Sequence, residues 1–291
     1  MLINKKKILF IINPISGTGK QKIVEKLIDQ HLDLSLFDYE ITYTKYAKHA
    51  IDLSANAVGK FDIIVAVGGD GSVNEVAKHL INTDVILAII PTGSGNGLAR
   101  HLKIPINLKA AILKINALKV KRIDTVKIND YHFLGTAGTG FDAHIGWKFA
   151  EATKRGFWTY LKITVKEYFN YKEEYYSLNI DGKEINQKAL LITFANSNQY
   201  GNNAYVSPKS IIDDGYLRVI ILKRFPLYLT LDFAYRMFNK KFDTFKYVTA
   251  LKGKKIKISV PKEELHIDGE PFKLGRELTI EIVPKSLNVI V

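Results

Sequence analysis

Apolar and β-branched residues gather in four short runs in the N-terminal part of the chain, at Ile8–Asn13, Tyr39–Thr44, Ile63–Val67 and Val85–Ile90. Three of them are nearly continuous rather than alternating, which marks strands covered on both faces. Between the runs the spacing becomes helical. Ile23, Leu27, Ile28 and Leu32 recur in steps of one helical turn within 21–32, and 47–57, 73–80 and 108–118 carry the same period. Strand and helix in alternation predict a mostly parallel sheet with helices on both sides, whose ligands bind beyond the carboxyl ends of the strands. Three polar, glycine-bearing loops leave those ends, at 13–20, 68–72 and 91–97. They are expected to converge on one site.

From about Ile123 the pattern changes. Short alternating segments are separated by turn signals at Asn129-Asp130, Asp181-Gly182, Asp213-Asp214-Gly215 and Asp268-Gly269. Such spacing predicts an antiparallel sandwich or barrel. Two aromatic, basic stretches of helical spacing interrupt it, 156–171 and 226–238. A domain boundary is expected near residue 122, in the basic run Lys119-Val120-Lys121-Arg122, dividing the chain into 1–122 and 123–285.

Composition narrows the class only a little. The 291 residues are 47% hydrophobic and 24% charged, as in ordinary folded proteins, and the absence of cysteine excludes disulfides and thiolate metal sites. The net charge of +13 points to an anionic partner such as a nucleotide, a nucleic acid or an acidic membrane. No RNA-binding or helix-turn-helix signature accompanies that charge, so nucleic acid is not expected. Lys5-Lys6-Lys7 before an apolar run imitates a signal peptide, but the run ends at Asn13-Pro14 without a cleavage site and reads as a first strand. No apolar stretch approaches the roughly 20 residues that span a bilayer. A cytoplasmic protein, soluble or peripheral to a membrane, is the expectation.

The segment FDIIVAVGGDGSVNE, residues 61–75, concentrates the candidate chemistry. A buried strand breaks into Gly68-Gly69-Asp70-Gly71, and Ser72 with Glu75 has the spacing of a capping box at a helix start. Strand, glycine turn and helix N-terminus together present backbone N–H groups to a phosphate, and Asp70 would stand beside that phosphate and any Mg²⁺. The loop 13–20 lacks the GxxxxGK[ST] spacing of a P-loop, and the central loop does not match GxGxxG. With the third loop, the polar set becomes Asn13, Ser16, Asp70, Ser72, Asn74, Ser94 and Asn96. His101, His132, His144 and His266 show no zinc-binding spacing.

GGDGSVNEV (68–76), PTGSGNGLAR (91–100) and HIDGE (266–270) resemble the signatures of the diacylglycerol kinase catalytic superfamily, which includes bacterial lipid kinases and the sphingosine and ceramide kinases. The loop NPISGTGK and the segment TKYAKHA (44–50) are also similar to their family counterparts, so the likeness spans nearly the whole chain. It implies an α/β N-terminal domain of the phosphofructokinase and NAD-kinase type with a mostly parallel sheet. It also implies a C-terminal antiparallel β-sandwich domain for the lipid substrate, with residues 286–291 returning to the first domain. By the same resemblance Asn13, Ser16, Gly17, Thr44, Gly68, Gly69, Asp70, Gly71, Ser72, Asn74 and Ser94 match ATP contacts, with Asn96 in the third loop beside them. Asp268 and Glu270 match the motif that holds the general base, with Asp70 as a competing base. Asp214, through its side chain, and Ile211 and Tyr216, through main-chain carbonyls, match a structural Mg²⁺ site. Bacterial diacylglycerol kinases carry Asn-Asp where this chain has Asn96-Gly97, wording closer to the sphingosine kinases, and the acceptor stays open between diacylglycerol and a sphingoid-type lipid.

The activity implied is an ATP- and Mg²⁺-dependent lipid kinase, in which positioning and electrostatics supply most of the acceleration. Its partners would be a membrane lipid and an anionic membrane surface, with a homodimer left open. Phe157, Tyr160, Leu161, Thr164, Tyr168 and Tyr171 share one face of the first basic helix and Trp158, Val165 and Phe169 another, beside Lys154, Arg155, Lys162 and Lys166. Such a helix suits a headgroup interface; packing onto the sandwich is the alternative for each aromatic. Two other readings remain: a soluble-substrate kinase of the NAD-kinase or phosphofructokinase type, and a non-catalytic nucleotide- or lipid-binding module.

Overall fold

Each apolar run of the N-terminal part becomes a strand: β1 (Lys6–Ile12), β2 (Phe37–Tyr43), β3 (Ile63–Gly68) and β4 (Ile86–Pro91). The structure, a computed structural model, describes residues 5–16, 23–151 and 157–291, excluding the side chains of 150 and 157–161. The four strands pair in parallel in the order β2-β1-β3-β4. β3 is buried along its whole length, whereas in edge strand β2 only Phe37 is buried and the other positions are half-buried or exposed. The register sets Ile12 opposite both Tyr43 and Val67, and Gly68 opposite Pro91, so the four carboxyl ends lie level. Helices α1 (Val24–His31), α2 (His49–Ala57), α3 (Asp70–Ala77), α4 (Gly97–His101) and α5 (Leu108–Asn116) connect them.

The later part is built from β5 (Val120–Ile128), β6 (Tyr131–Phe133), β7 (Thr136–Gly140), α6 (Phe141–Glu151), α7 (Phe157–Asn170), β8 (Glu174–Ile180), β9 (Lys183–Ala189), β10 (Leu191–Ala195) and β11 (Leu217–Leu222). It continues through α8 (Thr230–Phe238), β12 (Val248–Gly253), β13 (Lys255–Ser259), β14 (Glu264–Ile267), β15 (Glu270–Lys273) and β16 (Glu277–Ile290). One antiparallel layer runs β12-β11-β10-β7-β14-β15; the other places β13 between β8 and the first half of β16, with β9 outside β8. Their facing residues, among them Phe133, Tyr176, Phe194, Ile258 and Ile280, form the sandwich core. Asp181-Gly182 and Asp268-Gly269 are two-residue hairpin turns with positive φ at both positions (49° and 90°; 46° and 85°), the geometry that matches strand twist.

By contacts the chain divides into two units. The first holds 1–125, 201–203 and 284–291, and the second 126–200 and 204–283. The division falls three residues after the basic run 119–122, inside β5, which starts at Val120 and continues without interruption across it. β16 gives its first half to the second unit, and its end pairs in parallel with β4, Asn288 opposite Ile86. Ser286 Oγ bonds Thr125 Oγ1 at 2.8 Å, and Asp124 accepts the Lys285 N–H at 2.7 Å, fixing that end within the first unit.

Candidate active site

Helix α3 starts earlier than its apolar period suggests. Gly69 is the N-cap, in extended conformation, and its carbonyl accepts the Val73 N–H at 3.0 Å to close the first turn. Ser72 therefore lies inside the first turn and makes no capping bond, contrary to the capping-box expectation. Glu75 turns instead to the start of α2, where its carboxylate accepts the N–H groups of Lys48 and Ala50. Burial pushes the Glu75 pKa up, and those two bonds and the Lys48 charge oppose the shift in part. The N-cap is a glycine and supplies no side-chain cap, so this helix start is a candidate site for an anion.

The loops that follow β1, β3 and β4 are tied to one another. Asn13 Nδ2 donates to Ser72 Oγ at 3.1 Å while its Oδ1 accepts the Ile15 N–H at 3.1 Å, so one side chain shapes the first loop and joins it to the second. The Ser16 and Thr92 hydroxyls are 3.0 Å apart, linking first loop to third. Asp70 Oδ1 accepts the Leu98 N–H at 3.3 Å, linking second to third. Glycine is obligatory at the closest approach: a Cβ on Gly93 would stand 2.4 Å from Gly69 Cα, and one on Gly68 would stand 2.4 Å from Ser72 Cβ. Asn96, nearly fully buried, takes a left-handed conformation (φ 51°) as N-cap of α4 and donates to the Gly93 carbonyl at 2.7 Å.

Around this cradle stand the other first-unit residues singled out from the sequence. Thr44 follows β2, its N–H bonded to the Ile12 carbonyl at 2.9 Å; Gly71 and Asn74 lie on α3; Ser94 is exposed at the tip of the third loop. Gly17 lies outside the described residues. Three contributors were missed. Thr92 was legible as a hydroxyl within the third motif. Arg100 Nε donates to the Gly95 carbonyl at 3.1 Å, and the Asn202 N–H reaches the same oxygen at 3.2 Å. Nothing local in the sequence announces that residues 201–203 return to this loop.

The second unit holds Asp268, Glu270, Ile211, Asp214 and Tyr216. Asp268 has a task that the sequence did not indicate. Its Oδ2 accepts the Leu134 N–H at 2.9 Å, and its Oδ1 accepts those of Gly135 at 2.8 Å and Thr136 at 2.9 Å. Gly135 has no room for a Cβ, which would meet Oδ1 at 2.9 Å. The carboxylate thus braces the start of β7 from the β14–β15 turn. Glu270, the first residue of β15, is exposed.

Among the described residues no group of three or more His, Cys, Asp or Glu side chains is arranged to hold a metal ion. A single carboxylate is still compatible with Mg²⁺, which commonly takes one or two carboxylates and completes its shell with phosphate and water. Asp70, at the start of α3, fits that habit. In the Asp213–Gly215 turn, Asp214 Oδ1 accepts the Tyr216 N–H at 3.0 Å. The donors expected there, this carboxylate and the Ile211 and Tyr216 carbonyls, are all hard oxygens suited to Mg²⁺.

Residues 7–128 match the diacylglycerol kinase catalytic domain, and residues 135–291 match the YegS C-terminal NAD kinase beta sandwich-like domain. A Staphylococcus aureus protein named as a candidate lipid kinase is 26% identical over 94% of this chain and 91% of its own length. An uncharacterised Synechocystis protein is 27% identical over 96% of this chain and 69% of its own. The crystal structure of a candidate diacylglycerol kinase from Bacillus anthracis superposes with a TM-score of 0.80 at 25% identity, covering 99% of this chain and 97% of that one. The chain belongs to the lipid-kinase-like family that joins a diacylglycerol kinase catalytic domain to a YegS-type β-sandwich domain.

Proposed function

We propose that the protein transfers the γ-phosphate of ATP to the hydroxyl of a membrane lipid, diacylglycerol or a sphingoid-type alcohol, with Mg²⁺. The observation that carries this reading is the cradle in the first unit, where three glycine loops bond to one another around Asp70 and the open N-terminus of α3. Asn13, Ser16, Thr44, Ser72, Asn74, Ser94, Asn96 and the backbone of 68–71 hold the triphosphate end of the nucleotide. Fixed N–H donors of this kind stabilise charge spread over a transferring phosphoryl group without reorganising. Mg²⁺, when bound, neutralises phosphate charge, and Asp70 is the residue that would hold it.

The acceptor hydroxyl must lose a proton as it attacks. Within the motif 268–270, Asp268 spends its oxygens on three backbone N–H groups, so Glu270 is assigned as the base and Asp268 as the residue that positions its turn. Asp214, with the Ile211 and Tyr216 carbonyls, would hold a second, structural Mg²⁺. No described helix is long and apolar enough to cross a membrane. On the kinase reading the protein works from the cytoplasm and visits its lipid substrate peripherally.

The test is a γ-phosphate transfer screen against a panel of lipids in mixed micelles. Labelled product from a long-chain hydroxyl lipid, lost in Asp70→Asn, is the expected result. Label appearing only on soluble acceptors would replace the reading with a soluble-substrate kinase.

A further inference from the structure

Helix α8 and the single 3₁₀ turn before it, Leu227–Leu229, carry apolar residues on two opposite faces. The inner face is accounted for. Phe233 stacks on Phe225 at 4.9 Å and meets Phe242 edge-on at 5.3 Å, while Met237 packs against the cluster of Val206, Ile220 and Phe242. The outer face is not. Tyr228, Leu231, Tyr235 and Phe238 follow at three- and four-residue steps, with Leu227 alongside, and are 78, 84, 55, 49 and 49% exposed in that order. Single exposed apolar residues are ordinary, but a continuous stripe of five on one helical face marks a surface with a partner.

The charge around the stripe selects the partner. Lys223 stands exposed before it, and Lys240, Lys241 and Lys246 stand exposed after it. The two acids of this segment are already neutralised: Asp232 by Arg236 at 2.9 Å and Asp243 by Lys209 at 2.6 Å. A second copy of the chain would bring these lysines against one another. An anionic bilayer satisfies both features at once, since the aromatic and leucine side chains enter the headgroup boundary while the lysines meet lipid phosphates.

We propose that 227–238, flanked by Lys223, Lys240, Lys241 and Lys246, is the docking surface of this protein for an anionic lipid membrane. Its purpose rests on the kinase reading, though its measurement does not. It lies on a different helix from the surface expected on α7. There Tyr168 and Tyr171 are buried against Phe141 and Phe225, while Val165 and Phe169 on the other face are exposed. Lys154, Arg155 and the side chains of Phe157, Trp158, Tyr160 and Leu161 lie outside the described residues.

Co-sedimentation with vesicles tests it, comparing pure phosphatidylcholine with a mixture in which a third is phosphatidylglycerol. The parent protein should bind the mixed vesicles and release them in high salt. Leu231→Glu, at a position too exposed to disturb folding, should weaken that binding about tenfold. Lys240→Glu with Lys241→Glu should remove the preference for anionic lipid. Transfer to a short-chain, water-soluble acceptor should be unchanged in all of them. Vesicle binding by Leu231→Glu equal to that of the parent overturns the proposal, as does equal binding to both vesicle types. A dimer broken by Leu231→Glu, without vesicle binding, assigns the stripe to a second copy and also overturns it. Vesicle binding that depends on Leu231, in a protein that phosphorylates no lipid, supports the docking surface while the kinase reading fails.

Discussion

Two glycine turns of this molecule each carry an acid, and in the sequence they look alike. Gly68-Gly69-Asp70-Gly71 and Asp268-Gly269-Glu270 both follow an apolar strand, and both belong to motifs associated with phosphoryl transfer. Their carboxylates do different work. Asp70 stands at the first position of a helix and engages the Leu98 N–H through one oxygen, at 3.3 Å. Asp268 accepts three backbone N–H groups at 2.8–2.9 Å from a segment more than 130 residues away in sequence. An acid set among the glycine loops of a cradle can serve a ligand. An acid wrapped in backbone donors holds a fold together.

The sharpest way to break that distinction is to neutralise Asp70. Asp70→Asn keeps the shape and the Leu98 bond but removes the charge, and should lower turnover about a hundredfold or more, the scale of a lost electrostatic contact to a transition state. The melting temperature should move much less than turnover, the charge at the first helical turn being worth about 0.3–1 kcal/mol. Steady-state kinetics and a thermal melt on one preparation decide it, and turnover equal to the parent would end the special status of Asp70.

Asp268→Ala should show the opposite profile. Removing the acceptor for three N–H groups, partly buried at the start of β7, should cost about 2–4 kcal/mol of folding stability. A urea titration measures that loss. A variant that unfolds like the parent yet turns over no substrate would return Asp268 to the chemistry. Glu270→Gln completes the contrast, because an exposed base should be lost with a fall in turnover and no change in the urea midpoint.

Within the first region, Gly93→Ala isolates shape from charge. The added methyl would meet the Gly69 backbone at 2.4 Å, a contact that no side-chain rotation relieves. The two loops must separate, at about 1–3 kcal/mol, and nucleotide affinity should fall with them. Calorimetry with a non-hydrolysable ATP analogue, beside a melt, checks both halves; unchanged affinity would mean that the Gly69–Gly93 approach is packing alone.

What was legible in the sequence was local. Continuous apolar runs gave β1, β3 and β4, and Asp-Gly pairs gave hairpin turns with the required positive φ, because both signals sit within a few residues of the structure that they specify. The gathering of three loops followed from one rule about parallel sheets. What was hidden depends on distant partners. No spacing rule connects Asp268 to Leu134, or residues 201–203 to Gly95. In α8 the helical period shows two apolar faces, at Phe233 with Met237 and at Leu231 with Tyr235, but only the tertiary fold determines which one is covered. In α7 the same ambiguity divides by face: Tyr168 and Tyr171 take the packing alternative and join the core, while Val165 and Phe169 on the other face stay exposed.

Glu75 gives the smallest effect and shows that acids near the cradle are not uniformly poised for chemistry. Its local pattern suggests a cap for its own helix, yet it serves the start of α2, and burial there favours the protonated acid. A pKa raised in the folded state means that folding takes up a proton. The stabilisation is therefore complete below the ordinary carboxylate range and is lost as the pH rises through the raised value. Glu75→Gln cannot ionise and keeps an oxygen for one of the two N–H groups, so its stability should gain on that of the parent over that window. Partial exposure screens the charge and limits the gain to a few tenths of a kcal/mol. Urea midpoints taken in steps from acid to neutral pH should show the two curves converging or crossing upward. Parallel curves would mean that water, rather than the interior, sets the ionisation of Glu75.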